Sequence, residues 1–135
     1  MKVNKILILV LFLITNIGYA KENQKMETPV YEIVKWEAKP NVSDSEMIKA
    51  VNNMVNDLKT VDGFLHQSLY KNKKGTWIDI YYWKTEKNAV DSNTNMADKK
   101  SLKILLELIN LETVTIEIMN PLQSSGGLQF GINNP

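Results

Sequence analysis

Phe64-Leu65-His66-Gln67-Ser68-Leu69-Tyr70-Lys71, then Asn72-Lys73-Lys74-Gly75, then Thr76-Trp77-Ile78-Asp79-Ile80-Tyr81-Tyr82-Trp83 is the stretch that decides the fold. Two runs that alternate apolar and polar flank a short loop carrying Asn and Gly, which predicts a β-hairpin. Working outward, Val30 to Ala38 is β-branched and aromatic, is bounded by Pro29 and Pro40, and reads as another strand. Between that strand and the hairpin, Ser43 and Glu46 have the spacing of a capping box, and Val42 can staple onto Met47. Met47, Ile48, Val51, Val55 and Leu58 then recur at helical spacing until Asp62-Gly63 turns the chain.

Beyond the hairpin, Thr85 can cap a second helix, but Asn88, Ser92, Asn93, Thr94 and Asn95 make it a poor one. Helical pattern returns over Ser101 to Ile109, with Leu102, Leu105, Leu106 and Ile109 as its stripe. Thr113 to Met119 alternates as a last strand, and Pro121 closes it. The order is β-α-β-β-α-β with the second α split. That order predicts an α+β, ferredoxin-like fold: a four-stranded antiparallel sheet with the helices on one face.

Composition narrows the chemistry. The 135 residues hold no cysteine, one histidine, and sixteen basic residues that are all lysine. Disulfides, thiolate metal sites and thiol nucleophiles are excluded. A net charge of +1 offers no electrostatic footprint for nucleic acid. One histidine and scattered carboxylates make no recognisable metal constellation, and there is no Gly-rich phosphate loop or nucleophile elbow. Neither a cofactor nor a metal is expected. The lysines at 71, 73 and 74 read as a solvated hairpin tip.

The N-terminus looks like an export signal. Lys2 and Lys5 precede an unbroken apolar run from Ile6 to Ile14, and Gly18-Tyr19-Ala20 supplies small residues for cleavage. The run is too short for a spanning helix, which needs roughly 20 apolar residues. The expected organisation is a signal peptide over 1–20, a polar lead-in over 21–28, a single domain over 29–120 and a flexible tail over 121–135. The mature protein is expected to be periplasmic or secreted, without a stable membrane span.

Strand parity divides the side chains into two sets. The more apolar choices are Tyr31 and Ile33; Leu65 and Leu69; Ile78, Ile80 and Tyr82; Val114, Ile116 and Ile118. They are assigned to the helix side. The opposite set holds Glu32, Trp36, Phe64, His66, Asp79, Tyr81 and Trp83. Such an aromatic face is too large to leave in water. It predicts a homodimer paired through Trp36, Phe64, Tyr81 and Trp83, with a cavity into which Glu32, His66, Asp79 and Tyr81 project between Trp36 and Trp83. Hairpin pairing centred between Lys73 and Lys74 sets His66 opposite Tyr81, and Asp79 opposite Ser68.

From Val30 to Met119 the chain resembles the dimeric α/β-barrel superfamily, and within it the antibiotic-biosynthesis-monooxygenase-like domains. The resemblance rests on Glu32-Ile33-Val34-Lys35-Trp36, on Asp62-Gly63-Phe64-Leu65, and on Trp77 to Trp83 leading into Thr85-Glu86-Lys87-Asn88-Ala89. It implies two copies paired as a dimeric α/β barrel, and a cofactor-independent oxidation of a small aromatic molecule. In haem-degrading members a strand tryptophan placed like Trp83 works with a histidine on the following helix and an asparagine on the first strand. This chain has neither, which argues against haem degradation. His66, Asp79 and Glu32 are the candidate catalytic bases, and Trp36, Tyr81 and Trp83 the candidate ligand pocket. The alternatives are a non-catalytic periplasmic binder of a small hydrophobic ligand and a purely structural dimer.

Overall fold

The computed structural model describes residues 29–123 and 125. The expected signal peptide, the lead-in and most of the tail lie outside the described residues. The elements are β1 (Val30–Ala38), α1 (Asp44–Leu58), β2 (Phe64–Lys71), β3 (Trp77–Trp83), α2 (Glu86–Met96), α3 (Lys100–Leu108) and β4 (Ile109–Met119). The four strands form one antiparallel sheet in the order β2-β3-β1-β4. This is the α+β, ferredoxin-like arrangement expected. α3 ends one residue sooner than its pattern suggested, because Ile109 already pairs with Ala38 as the start of β4.

The first helix forms as its sequence dictates. Ser43 Oγ accepts from the Glu46 N–H at 3.2 Å, and Glu46 Oε2 accepts from the Ser43 N–H at 2.9 Å, closing the capping box. Met47, Ala50, Val51, Met54, Val55 and Leu58 are buried, whereas Ile48 is 45% exposed. Seen from the helix axis, the buried set spans the i, i+3, i+4 face and Ile48 falls beside it.

The helices cover the sheet face opposite to the one expected. The core joins Met47, Val51, Val55 and Leu105 from the helices to Val30, Trp36, Trp77, Tyr81 and Trp83 from β1 and β3. Tyr31, Ile33, Ile78, Ile80 and Tyr82 stand on the other face and are only partly buried. The assumption that the more apolar set must meet the helices fails here because both faces of the central strands are apolar. In β4 it holds: Ile116 and Ile118 sit opposite Val34 and Glu32, and directly opposed residues share a face.

Two irregularities reset β2. The hairpin loop closes with the Gly75 N–H donating to the Asn72 carbonyl at 3.0 Å, and with Gly75 at φ 91°. A left-handed glycine after the turn gives a three-residue loop, an odd number, so the pairing centres on Lys74. Gln67 therefore faces Tyr81, Leu69 faces Asp79, and His66 faces Tyr82. A register shift between Phe64 and His66 then returns Phe64 to the side of Trp83, where the two rings meet edge-on at 5.7 Å.

Candidate functional site

Glu32, Asp79, Tyr81, Trp36 and Trp83 project from β1 and β3 toward the helices, inside the protomer rather than between two protomers. Asp79 and Trp83 are 0% exposed, Glu32 5% and Tyr81 7%. Each carboxylate has dedicated donors. Trp83 Nε1 donates to Glu32 Oε2 at 2.9 Å. Tyr81 OH donates to Asp79 Oδ2, and Gln67 Nε2 to Asp79 Oδ1, both at 2.5 Å. Glu32 stands opposite Tyr81 and Asp79 opposite Val34, so the acids occupy diagonal positions on neighbouring strands. Diagonal positions lie roughly 7–8 Å apart by backbone, close enough for their charges to interact across a dry interior.

Burial controls their protonation. Desolvation raises the Glu32 carboxyl to about 7, with the Trp83 hydrogen bond opposing and the Asp79 charge reinforcing the rise. Desolvation likewise raises Asp79 to about 6, against the hydrogen bonds from Tyr81 and Gln67. The Tyr81 hydroxyl is pushed well above its usual value, first by burial and then by the Asp79 charge beside it. Around neutral pH the site therefore holds a phenol O–H donor and two carboxyls poised to give or take a proton. Surrounding aromatics offset the cost of keeping acids here. Each buried tryptophan removes roughly 150–250 Å² from water, about 4–6 kcal/mol, against about 2–3 kcal/mol for a carboxyl shifted by about two pKa units.

His66 does not join this group. It is exposed on the open face, where its Nε2 lies 2.9 Å from Ser68 Oγ and its ring 5.5 Å from that of Tyr82. The odd loop puts it across the sheet from Asp79, so the shared cavity expected for the two does not form. The surface expected to pair two copies through Trp36, Phe64, Tyr81 and Trp83 is likewise occupied by the helices. Gln67 is the site residue that sequence reasoning missed, and the signal for it was Gly75, whose left-handed conformation shifts the register by one. Lys71 is more than a solvated tip residue: its Nζ pairs with Asp44 at 2.6 Å and lies 5.0 Å from the centre of the Trp77 ring. Among the described residues no group of acids and histidine is arranged to hold a metal ion.

Neither a protein-family model nor a curated protein sequence matches the chain. Solved structures do match. An antibiotic biosynthesis monooxygenase-type protein of Bordetella bronchiseptica aligns with a TM-score of 0.63 at 14% identity, over 71% of this chain and 99% of that one. SnoaB of Streptomyces nogalater, a cofactor-independent oxygenase, aligns with a TM-score of 0.56 at 12% identity, over 72% and 96%. A further monooxygenase-type protein, of Chloroflexus aurantiacus, aligns at 0.54 and 14% identity, over 73% and 98%. The chain shares its fold with these proteins. At these identities the likeness concerns the backbone, and function has to be argued from the side chains. No helix among the described residues is long and apolar enough to cross a membrane.

Proposed function

We propose that this chain is a monooxygenase-like protein that takes a small aromatic or hydrophobic molecule between its sheet and helices, where Asp79 acts as the base. The carrying observation is the pair of buried carboxyls, Glu32 and Asp79, raised to about 7 and about 6 on a face lined by Trp36, Tyr81 and Trp83. Asp79 takes the acidic proton of the ligand, and Tyr81 donates to the developing anion. A carbon of that anion forms a bond to dioxygen with its own electron pair. The resulting hydroperoxide loses its C–H proton and breaks its O–O bond to release water, leaving one oxygen on the ligand as a carbonyl. The ligand thus supplies the electrons and no protein-held cofactor is needed. SnoaB, of similar fold, is a cofactor-independent oxygenase, which supports this reading. Asp79 is fully buried, so a ligand reaches it by displacing a helix. α2 buries only Ala89, Ser92 and Met96 and α3 only Leu105, but α2 is also built of poor helix formers along its length, which makes it the weaker barrier.

The test is oxygen uptake with electron-rich hydroxyaromatic compounds. Asp79→Asn should lower turnover by about 10²–10⁴-fold, the usual loss of a general base, while the folded state survives. Undiminished turnover in Asp79→Asn would defeat the assignment. A second reading, that the protein binds without turnover, is favoured by the fact that both Asp79 oxygens already have donors; binding without oxygen consumption would establish it.

Two further parts belong to the proposal. The chain works as a homodimer paired through the open face of Tyr31, Ile33, Ile78, Ile80 and Tyr82, and it is exported with cleavage after Ala20. Mass spectrometry of the protein from its native envelope should find Lys21 at the mature N-terminus. A species beginning at Met1 would contradict export.

A further inference from the structure

Glu32 is a buried acid that the reaction above leaves idle, on the same helix-covered face as Asp79. The two carboxyls are held differently. Asp79 accepts on both oxygens, from Gln67 Nε2 on Oδ1 and from Tyr81 OH on Oδ2. Glu32 accepts from Trp83 Nε1 on Oε2. Each donor aimed at a carboxyl favours its charged form. The geometry therefore holds Asp79 as the carboxylate and leaves Oε1 of Glu32 to carry a proton.

Nothing around the pair supplies a countercharge. Glu32 stands opposite Tyr81 on β3 and Ile118 on β4, and Asp79 opposite Val34 on β1 and Leu69 on β2. Tyr81 keeps its proton, because burial and the Asp79 charge hold its hydroxyl well above the usual value. From the helices, the buried Met47, Val51, Val55, Ala89, Met96 and Leu105 bring no ionisable group. Asp57 of α1 is tied to Ser101, Asp91 of α2 to Lys87, and no described lysine is buried. Two ionised acids here would repel across a dry interior with no cation to offset them. The Asp79 charge accordingly raises the Glu32 carboxyl, on top of the effect of burial.

We propose that Glu32 and Asp79 share one proton, with Asp79 as the base and Glu32 as the acid that protonates the peroxide formed on the ligand. This rests on the site reading above and gives the second carboxyl its role there. The peroxide anion left by dioxygen addition takes the Glu32 proton and becomes the hydroperoxide. Glu32, now ionised, takes the C–H proton as the O–O bond breaks. The departing hydroxide takes from Asp79 the proton first drawn from the ligand and leaves as water. Both carboxyls end as they began, while ligand and dioxygen have become the carbonyl product and water.

The full chain is first titrated without ligand, following the side-chain carboxyl carbons of Glu32 and Asp79 by ¹³C NMR. Asp79 should ionise first and Glu32 second, each signal showing a smaller inflection at the other's step. Asp79→Asn should move the Glu32 midpoint down by about one pH unit or more, the coupling at which two groups titrate as a pair. Oxygen uptake with 1-naphthol, oxidised to 1,4-naphthoquinone and water, then tests the acid. Here kcat/KM should rise as Asp79 ionises and fall as Glu32 does. Glu32→Gln keeps an oxygen for the Trp83 indole; it should abolish the falling limb and lower kcat by about 10²-fold or more. Glu32 ionising first, a Glu32 midpoint unmoved in Asp79→Asn, or a falling limb that survives Glu32→Gln would overturn the inference. Such a surviving limb, with turnover still dependent on Asp79, leaves the site reading standing. Undiminished turnover in Asp79→Asn removes that reading, and the titration decides the shared proton by itself.

Discussion

The two faces of the sheet are built from similar amounts of apolar side chain and used in opposite ways. The helix-covered face carries the tryptophans, with Glu32 satisfied among them by Trp83, and Asp79 by Tyr81 and Gln67. The open face carries Ile33, Ile78, Ile80 and the edge-to-face pair of Tyr31 and Tyr82, 4.6 Å between ring centres, with His66 beside them. Polar groups can be held inside the first because wide aromatic rings bring both apolar area and N–H or O–H donors. Isoleucines bring area alone. Apolarity thus does not distinguish the face the helices cover from the one they leave open, but the presence of internally satisfied acids does.

The sharpest way to break this comparison is to damage each face in turn. Trp83→Ala should cost roughly 3–5 kcal/mol by loss of packing, and more because Glu32 loses its donor, so the protein should unfold or melt many degrees lower. Ile80→Lys should leave a folded chain and change only its association, giving monomers in sedimentation, against dimers for the wild type if the proposed pairing holds. Equal loss of fold in both variants would erase the distinction between the faces. A wild-type monomer would remove the partner assigned to the open one.

A smaller effect sharpens the comparison by pH. Glu32 and Asp79 bind protons more tightly folded than unfolded, being raised from 4.5 to about 7 and from 3.8 to about 6. The stability they contribute is therefore full below the unfolded values and is lost as pH rises through the folded ones. Melting temperature should fall between about pH 4 and pH 7, by the equivalent of about 2–3 kcal/mol per carboxyl. Glu32→Gln and Asp79→Asn should each flatten part of that slope. His66→Gln, on the open face, should leave the slope in place.

The smallest effect concerns the helical cover itself. α2 is held at its start by Thr85 Oγ1, which accepts from the Asn88 N–H at 3.1 Å, and by Asn88 Nδ2, which donates to Asp62 at 3.3 Å. α3 is tied to α1 by the Ser101 hydroxyl donating to Asp57. Between those ties the polar sequence of α2 buries little. Hydrogen exchange should run faster in the middle of α2 than in α1, and a bound ligand should slow it. Uniform protection across both helices would place the entrance elsewhere.

Much of the architecture was legible along the chain. The capping box of Ser43 and Glu46, the hairpin, the poor second helix and the alternation of β4 are local patterns, and local patterns depend on neighbours in sequence. The site was legible in part: Glu32, Asp79, Tyr81, Trp36 and Trp83 share a face because they share parity on paired strands. Gln67 and His66 were not, because their sides depend on an odd loop, and one residue of slip turns every later side chain over.

Sequence alone thus determined which elements exist, in what order, and which side chains of one strand travel together. Tertiary structure decided which of two apolar faces the helices cover, and hence that the acids are interior to a protomer. The reason is physical: alternation defines two sets of side chains but carries no sign, and only the packing of α1, α2 and α3 against the sheet supplies it.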